Sequence, residues 1–246
     1  MKIIIGIAAK NEESSIYKCL LSLAKAIEYG KISAKTVVCV NGSTDRTGSI
    51  VSQFMKEFPL MDIELIELEA GNLIKAQRLI VGYCSSDFYI FLDADTTISK
   101  TSLAKMIANM SVNMLRDGYV NYAKTRLTPP LGKESYVTRL YRLYSSGGLL
   151  THRYYFHGRF FAIRGWYVPT DREVANIQNK KNKLSQFGGL NVDDIFLSTY
   201  ILKKYGPDAI NELKDVYVYA KPITSLRDWY YTYRRTDIEI KKILLL

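Results

Sequence analysis

Apolar residues in the first hundred positions alternate between continuous runs and runs with helical spacing. Ile3 to Ala8 is a continuous apolar run, which is typical of a strand buried on both faces of a sheet. The apolar residues that follow recur with the period of an α-helix, at Ile16, Cys19, Leu20, Leu23 and Ile27. The same succession repeats, with further strands predicted at 36–40, 63–68 and 88–92 and a helix after each. Strands alternating with helices indicate an α/β fold, a mostly parallel Rossmann-like sheet flanked by helices.

Polar residues collect where these predicted strands end. Asn11 is predicted to cap the first helix, with Glu12 and Glu13 in its first turn, where the helix dipole stabilises carboxylates. Asn41-Gly42-Ser43 is a predicted turn before a helix that begins at Asp45, and Asp93-Ala94-Asp95 ends the fourth strand. Ligands of such sheets bind outside the carboxyl ends of the strands, so these segments predict the site.

The second half of the chain is less regular. Residues 125–158 contain two prolines, Gly147-Gly148 and many tyrosines, and we assign no element to them from the sequence. Beyond them, the pattern predicts a strand at 159–164, a helix at 192–204 and a short strand at 216–219. A final helix is predicted from Ser225, with an aromatic face. We find no internal repeat or linker and therefore predict a single domain.

Charge and cysteine content narrow the classes of function. The net charge of +10 favours phosphate-rich partners: nucleotides, nucleic acid or an anionic membrane surface. The basic residues are scattered in short doublets without zinc-finger spacing, so we expect no nucleic-acid partner. Three sparse cysteines do not suggest a disulfide framework. With no signal-peptide pattern and no apolar run of ~18 residues, the chain is predicted to be cytoplasmic.

Asp93 and Asp95 are candidate metal ligands. Alternation at a strand end would put both carboxylates on one face. Mg²⁺ and Mn²⁺ prefer such hard oxygen ligands and usually take one or two carboxylates together with substrate phosphates. An Asp-x-Asp pattern also suits a turn in which Asp caps a helix, so the pattern alone does not decide between the two.

Six ordered motifs together resemble the inverting family 2 glycosyltransferases, which have the GT-A fold. They are Lys10-Asn11-Glu12-Glu13, Asn41-Gly42-Ser43-Thr44-Asp45, Gly71 to Ala76, Phe91-Leu92-Asp93-Ala94-Asp95, Gly158 to Arg164 and Asn191 to Ser198. They run in family order over most of the chain, which is more specific than any single motif. The resemblance implies one GT-A catalytic domain over 1–246, with a nucleotide-sugar-binding half (1–98), an acceptor-binding half (99–224) and a C-terminal helix (225–246).

The resemblance also implies roles for individual residues. The nucleotide-sugar donor would lie along Ala8, Asn11, Glu12, Asn41, Ser43, Lys75, Asp93, Ala94 and Asp95. Asp95, with Asp93 beside it, would hold Mn²⁺ or Mg²⁺ on the diphosphate, and Asp194 would be the general base for the acceptor hydroxyl. The chemistry agrees, because a Lewis acid neutralises the leaving nucleotide and a hydroxyl needs a positioned base.

Two positions depart from the family pattern. Asn41 stands where the family usually has Asp, and an amide both accepts and donates hydrogen bonds; a UDP-sugar remains the predicted donor, although uracil is not assured. Asp193 replaces the usual Glu before the base, and helical neighbours point ~100° apart, so we expect only one of Asp193 and Asp194 to face the cleft. Further candidates for contacts with acceptor or diphosphate are His157, Arg159, Asp193 and Arg234. For His157 a packed or surface position, and for Arg234 a solvated helix face, is the interpretation that the sequence favours over a site contact.

Two other functions stay open. A sugar-nucleotide nucleotidyltransferase would share the fold but should open with a Gly-rich phosphate loop, whereas the first loop here is Ala8-Ala9-Lys10-Asn11. A non-catalytic nucleotide- or carbohydrate-binding relative would not need the three aspartates. The acceptor of a transferase would be a glycan, a lipid-linked molecule or another hydroxyl compound. The charge, the stretch Trp229 to Arg235 and the end Lys241 to Leu246 also suggest peripheral contact with the cytosolic face of a membrane.

Overall fold

One mixed sheet runs through both halves of the chain. A computed structural model describes residues 2–112, 120–129, 132–146, 156, 158–164 and 194–244. Its eight strands are ordered β3-β2-β1-β4-β7-β6-β8-β5. The first half contributes β1 (Ile3–Ala9), α1 (Ile16–Gly30), β2 (Lys35–Asn41), α2 (Thr47–Glu57), β3 (Ile63–Leu68), α3 (Leu73–Tyr83) and β4 (Phe88–Leu92). The predicted α/β class with a mostly parallel sheet is confirmed.

The second half completes the sheet with strands of both directions. It contributes β5 (Thr96–Ile98), α4 (Ser102–Val112), β6 (Val120–Leu127), α5 (Tyr136–Ser146), β7 (Phe160–Arg164), α6 (Asp194–Tyr205), the 3₁₀ turn Pro207–Ala209, β8 (Ile210–Ala220) and α7 (Leu226–Leu244). Strand β7 is antiparallel to both β4 and β6, β8 is parallel to β6, and β5 is antiparallel to β8. The chain therefore changes from a parallel to a mixed arrangement directly after β4.

The central strands are buried on both faces, as their continuous apolar runs predict. Ile5 and Ile7 of β1 belong to a core formed with α1, α2 and α4, whereas Ile4 belongs to a core on the other face, formed with α3 and α6. Phe54 in the first core and Ile80 in the second are fully buried. Alternate residues of one strand thus belong to two different cores. This fixes the register of the strand against its neighbours.

Several sequence predictions need correction. Asn11 does not cap the first helix, because α1 begins only at Ile16 and Asn11 has a left-handed φ of 56°. Between them, the backbone N–H groups of Ser15 and Ile16 donate to the carbonyl of Glu12 in a tight turn. Helix α2 begins at Thr47, whose N–H donates to Asp45 Oδ1 (3.0 Å), so Asp45 serves the helix start from outside the helix.

The stretch 125–158 is more regular than predicted. Strand β6 continues to Leu127, and Tyr136–Ser146 forms α5, where Tyr141 is buried and packs edge-on against Trp229 of α7 at 5.4 Å. Strand β8 also extends well beyond the predicted residues 216–219. Within the described part of this stretch, Tyr141 has a core role, whereas Tyr136 is exposed.

We expect Gly42 to be intolerant of any side chain. Its φ is +65°, and an added Cβ would lie 2.3 Å from the backbone nitrogen of Gly71, where no flexible group can move aside. Gly42→Ala should lower the free energy of unfolding by ~2 kcal/mol or more, combining left-handed strain with a backbone clash. Gly82→Ala is the matched control, since a Cβ added there would have no atom within 4 Å; it should be neutral or stabilising by ~0.5–1 kcal/mol. Urea unfolding of both variants checks this, and equal midpoints would contradict it.

Candidate active site

Strand ends from both halves of the chain meet at one edge of the sheet. Because β1, β2, β4, β6 and β8 run in one direction and β5 and β7 in the other, the carboxyl ends of the first group lie beside the starts of the second. The segments at this edge include Asn11-Glu12 after β1, Asn41-Gly42-Ser43 at the end of β2, and Asp93 after β4. Asp95 before β5 and Arg159 before β7 join them. The fold therefore brings predicted residues from distant parts of the chain to the same place.

The loops after β1 and β2 are tied together by hydrogen bonds. The backbone N–H of Asn11 donates to Ser43 Oγ (3.0 Å), and Asn11 Oδ1 accepts from the N–H of Thr44 (2.8 Å). The N–H of Glu12 donates to Thr47 Oγ1 (2.8 Å). Ala8 lies half-buried in β1, paired with Cys39 of β2. The polar side chains of Asn11 and Ser43 thus shape the loop pair.

Asn41 connects the same edge to the start of α3. Its side chain is buried, and its Oδ1 accepts from the backbone N–H of Asn72 (2.6 Å). Asn72 in turn caps α3 by accepting from the N–H of Lys75 (3.0 Å), which leaves the Lys75 side chain exposed in the first helical turn. The ammonium group of Lys10 lies close above Gly71, 2.6 Å from the position of an added Cβ. The sequence did not single out Lys10 or Asn72 for this role.

Asp93 lies near other carboxylates, which makes its negative charge unfavourable. Its side chain is open to solvent but surrounded by protein, and this desolvation raises the pKa of Asp93 to about 7, with further increases from the charges of Asp95, Asp194 and Glu12. Arg159 opposes the increase. The backbone N–H of Asp93 donates to the carbonyl of Arg159 (2.9 Å), which anchors the turn. Ala94 is buried, whereas Asp95 is exposed beside Asp93.

Glu12 belongs to the same acidic group. Partial burial raises the pKa of Glu12, and the nearby charges of Asp95 and Asp45 raise it further. The carboxylate accepts a hydrogen bond from the Ser15 hydroxyl, which lowers the pKa, as does the positive charge of Lys221. Lys221 was not identified from the sequence. Its position two residues after the predicted strand 216–219 is a local signal, but that signal does not show which strand lies beside it.

Asp194 reaches this group from the second half of the chain. It is the first residue of α6, where the helix dipole favours a carboxylate, and its Oδ2 accepts from the N–H of Gly158 (2.9 Å). A Cβ at position 158 would lie 3.0 Å from Asp194 Cβ, so a side chain there would displace the Asp194 side chain slightly. The buried Ser198 hydroxyl donates to the Asp194 carbonyl (2.5 Å) and accepts from the N–H of Phe156 (2.9 Å). Asp193 and His157 lie outside the described residues.

The donor set fits a divalent metal that is shared with a substrate. Asp93 and Asp95 offer hard oxygen ligands, and their mutual repulsion would be relieved by a cation between them. Within the described ranges, no group of three or more His, Cys, Asp and Glu side chains is arranged to enclose a metal ion. Mg²⁺ and Mn²⁺ commonly take one or two protein carboxylates and the remaining ligands from substrate phosphates and water, and Asp93 and Asp95 would suit that pattern.

Arg234 lies on α7, away from these contacts. Its guanidinium stacks over the Tyr230 ring at 5.8 Å from the centroid, on an exposed aromatic face that also carries Tyr231 and Tyr233. In the part of the chain that the structure describes, no helix has the length and apolar character needed to cross a bilayer. A role of Arg234 at the diphosphate remains a prediction.

Comparisons with known proteins agree with this architecture. The family model described as "Glycosyl transferase family 2" matches residues 4–164. No curated protein sequence matches the chain significantly. Among solved structures, residues 1–349 of TarS from S. aureus in complex with UDP-GlcNAc are similar at a TM-score of 0.57 and 20% identity, over 98% of this chain and 66% of that one.

Two other solved structures show the same fold. The mannosyltransferase PcManGT from Pyrobaculum calidifontis, in complex with GDP-Man and Mn²⁺, matches at a TM-score of 0.62 and 17% identity, over 94% of this chain and 59% of that one. Glucosyl-3-phosphoglycerate synthase from Mycobacterium tuberculosis, in complex with Mn²⁺, UDP and phosphoglyceric acid, matches at a TM-score of 0.57 and 16% identity. The match covers 99% of this chain and 77% of that one. The chain spans 40% of the longer TarS structure, and at these identities the likeness concerns the fold.

Proposed function

The chain belongs to glycosyl transferase family 2, a family of inverting enzymes, and from that premise we propose that it transfers a sugar from a nucleotide-diphosphate donor to an acceptor hydroxyl. The observation that carries the proposal is that carboxylates from the two halves of the chain lie close together at one edge of the sheet. Asp93 and Asp95 come from the first half of the chain and Asp194 from the second, and the charges of Asp95 and Asp194 both act on Asp93. A donor and an acceptor side are thereby adjacent.

On the donor side, the acidic turn Asp93-Ala94-Asp95 would bind the diphosphate through Mn²⁺ or Mg²⁺. When bound there, such a metal supplies Lewis-acid stabilisation of the leaving nucleotide. Asp93 and Asp95 would provide the protein's ligands, and Arg159 would compensate part of their charge. The loops after β1 and β2, linked through Asn11 and Ser43, would hold the nucleoside.

On the acceptor side, Asp194 would take the proton from the attacking hydroxyl. Oδ2 is oriented by the N–H of Gly158, so the carboxylate is fixed while it can still accept a proton. Attack from the face opposite the leaving diphosphate inverts the anomeric centre. The acceptor is proposed to be a glycan, a lipid-linked molecule or another hydroxyl compound, and contact of the aromatic and basic face of α7 with a membrane surface would suit a lipid-linked one.

Release of nucleoside diphosphate from nucleotide sugars in the presence of Mn²⁺ tests the proposed function. Slow transfer to water should give measurable UDP, GDP, CDP or dTDP from one donor. A sugar-nucleotide nucleotidyltransferase would instead release pyrophosphate from a nucleoside triphosphate and a sugar phosphate. A non-catalytic relative would bind the donor without releasing either product, so the three functions give different results.

We expect Asp194→Asn to lower kcat by ~10²–10⁴-fold, the usual cost of losing a general base. Donor affinity should hardly change, because Asp194 acts on the acceptor and an amide oxygen can still accept from Gly158. Rates and donor Kd are measured for Asp194→Asn and for its neighbour Asp193→Asn, which should stay active. An inactive Asp193→Asn beside an active Asp194→Asn would assign the base to the other carboxylate.

Donor binding should depend on a divalent metal through Asp95. Calorimetric titration of wild-type protein with nucleoside diphosphate should give much weaker binding with chelator than with Mn²⁺. In Asp95→Asn, that difference should shrink or disappear, because a carboxylate ligand becomes a neutral amide. Asp62→Asn is the matched control, since Asp62 precedes β3 at the opposite edge of the sheet and pairs with Lys35. Equal affinity with and without chelator in the wild type would contradict metal dependence.

We propose that the donor is a UDP-sugar, and Asn41 provides the test. Because Asn41 Oδ1 already accepts from Asn72, the amide would offer a base its Nδ2 donor, which suits a carbonyl oxygen of uracil but not N3–H. Asn41→Asp would supply an acceptor for N3–H and should raise the preference for UDP over CDP on the order of tenfold, about one hydrogen bond. Competition among UDP, CDP, GDP and dTDP measures this. Much tighter binding of GDP than UDP by the wild type would refute the UDP assignment.

A further inference from the structure

Lys221 follows strand β8, which pairs with the strand that begins directly after the acidic turn Asp93-Ala94-Asp95. It follows Ala220, the last residue of β8, whose register partner in the antiparallel strand β5 is Thr96. Continued by one residue, this register would set Lys221 opposite Asp95, and the positive charge of Lys221 acts on the nearby Glu12. The topology agrees, because the carboxyl end of β8 lies at the same sheet edge as that of β4.

The backbone before Lys221 is held from two sides. Ala220 is paired with β5 through Thr96 and with β6 through Leu127, and its carbonyl accepts from the N–H of Thr128 (2.9 Å). Ala220 itself is buried, whereas the side chain of Lys221 is exposed. The ammonium group is therefore carried on a fixed support and stays open to a ligand that enters the site.

The side chains around Lys221 are mainly carboxylates, so an anion can bind there only with the help of positive charges. The carboxylates of Asp95, Asp194 and Asp45 act on Asp93 or Glu12, and the positive charges that act on these two residues come from Arg159 and Lys221. Arg159 acts on Asp93, whereas Lys221 acts on Glu12. A diphosphate that approaches this group meets like charge, and one metal ion does not offset both the carboxylates and the phosphates.

We propose that Lys221 binds the diphosphate of the nucleotide donor from the β8 side of the site. The inference rests on the proposed function. An ammonium group presents three donors and acts as a point charge on phosphate oxygens, without needing a fixed planar geometry. Lys221 would thus join the bound metal in stabilising the charge that develops on the leaving nucleotide. The sugar and the base would not depend on this contact.

A purely structural role for Lys221 makes a different prediction. If Lys221 only balances Glu12 and Asp95, its removal should destabilise the fold or affect all ligands alike. If it binds diphosphate, its removal should weaken nucleoside diphosphates but spare the nucleoside, which has no phosphate. The comparison of the two ligands therefore separates the roles.

The experiment measures Kd for a nucleoside diphosphate and its nucleoside with saturating Mn²⁺. The pair is taken from the tightest binder among UDP, GDP, CDP and dTDP. Lys221→Met should weaken the diphosphate by about 10- to 100-fold, the effect of a hydrogen bond to a charged group, and leave nucleoside binding unchanged. Lys221→Arg should retain most of the diphosphate affinity. Lys214→Met is the matched control, because Lys214 is an exposed lysine of the same strand, and it should bind like the wild type.

Three results would overturn the proposal: unchanged diphosphate affinity in Lys221→Met, equal weakening of diphosphate and nucleoside, or an equal loss in Lys214→Met. Thermal unfolding identifies a variant that has lost its fold, and Lys221→Arg then decides, since it keeps the charge and the side-chain length. A wild-type protein that binds none of the four diphosphates would instead refute the proposed function itself.

Discussion

The parallel pairing of β1 with β4 is the constraint on which the rest of the molecule depends. These strands lie side by side, with Ile4 beside Tyr89 and Ile5 beside Ile90, and their side chains alternate between two separate cores. A shift of one residue would move every side chain to the wrong face, so the register is fixed. The fixed register also fixes the strand ends. The polar loops that follow them are therefore held at one edge of the sheet.

The cost of this arrangement is a concentration of like charge. Asp93 shows it most clearly, because desolvation and three neighbouring carboxylates hold its pKa near 7. The backbone sustains the arrangement: Asp93 is tied to Arg159 through a main-chain hydrogen bond, and the Asp194 carboxylate is held by the N–H of Gly158. These contacts hold the repelling groups together, an arrangement that would be pre-organised for the proposed cation and anionic ligand.

Sequence reasoning succeeded where packing imposes a simple period. The buried runs within β1, β2 and β4 contain no charged residue, so their type and order could be predicted. Strand β6 was not predicted, because the buried Asn121 interrupts its apolar run. In the structure, Asn121 Oδ1 accepts from Asn211 Nδ2 (3.0 Å) and Asn121 Nδ2 donates to Met110 Sδ (3.1 Å), partners that the local sequence pattern does not show. The site residues followed from strand ends and family motifs. Lys221 did not, because its place beside Asp95 depends on a strand pairing that no local pattern encodes.

The change of strand direction after β4 has an evolutionary consequence. Within the described residues, the first-half strands join the rest of the sheet along the β4–β7 pair, from Phe88 beside Arg164 to Leu92 beside Phe160. The parallel first half keeps its own register whatever lies beyond that seam. Mutations beyond the seam can therefore reach Asp95, Arg159 and Lys221 but leave the loops after β1 and β2 in place, so a lineage that changes the far side keeps the proposed nucleoside contacts while the surroundings of the acidic turn vary.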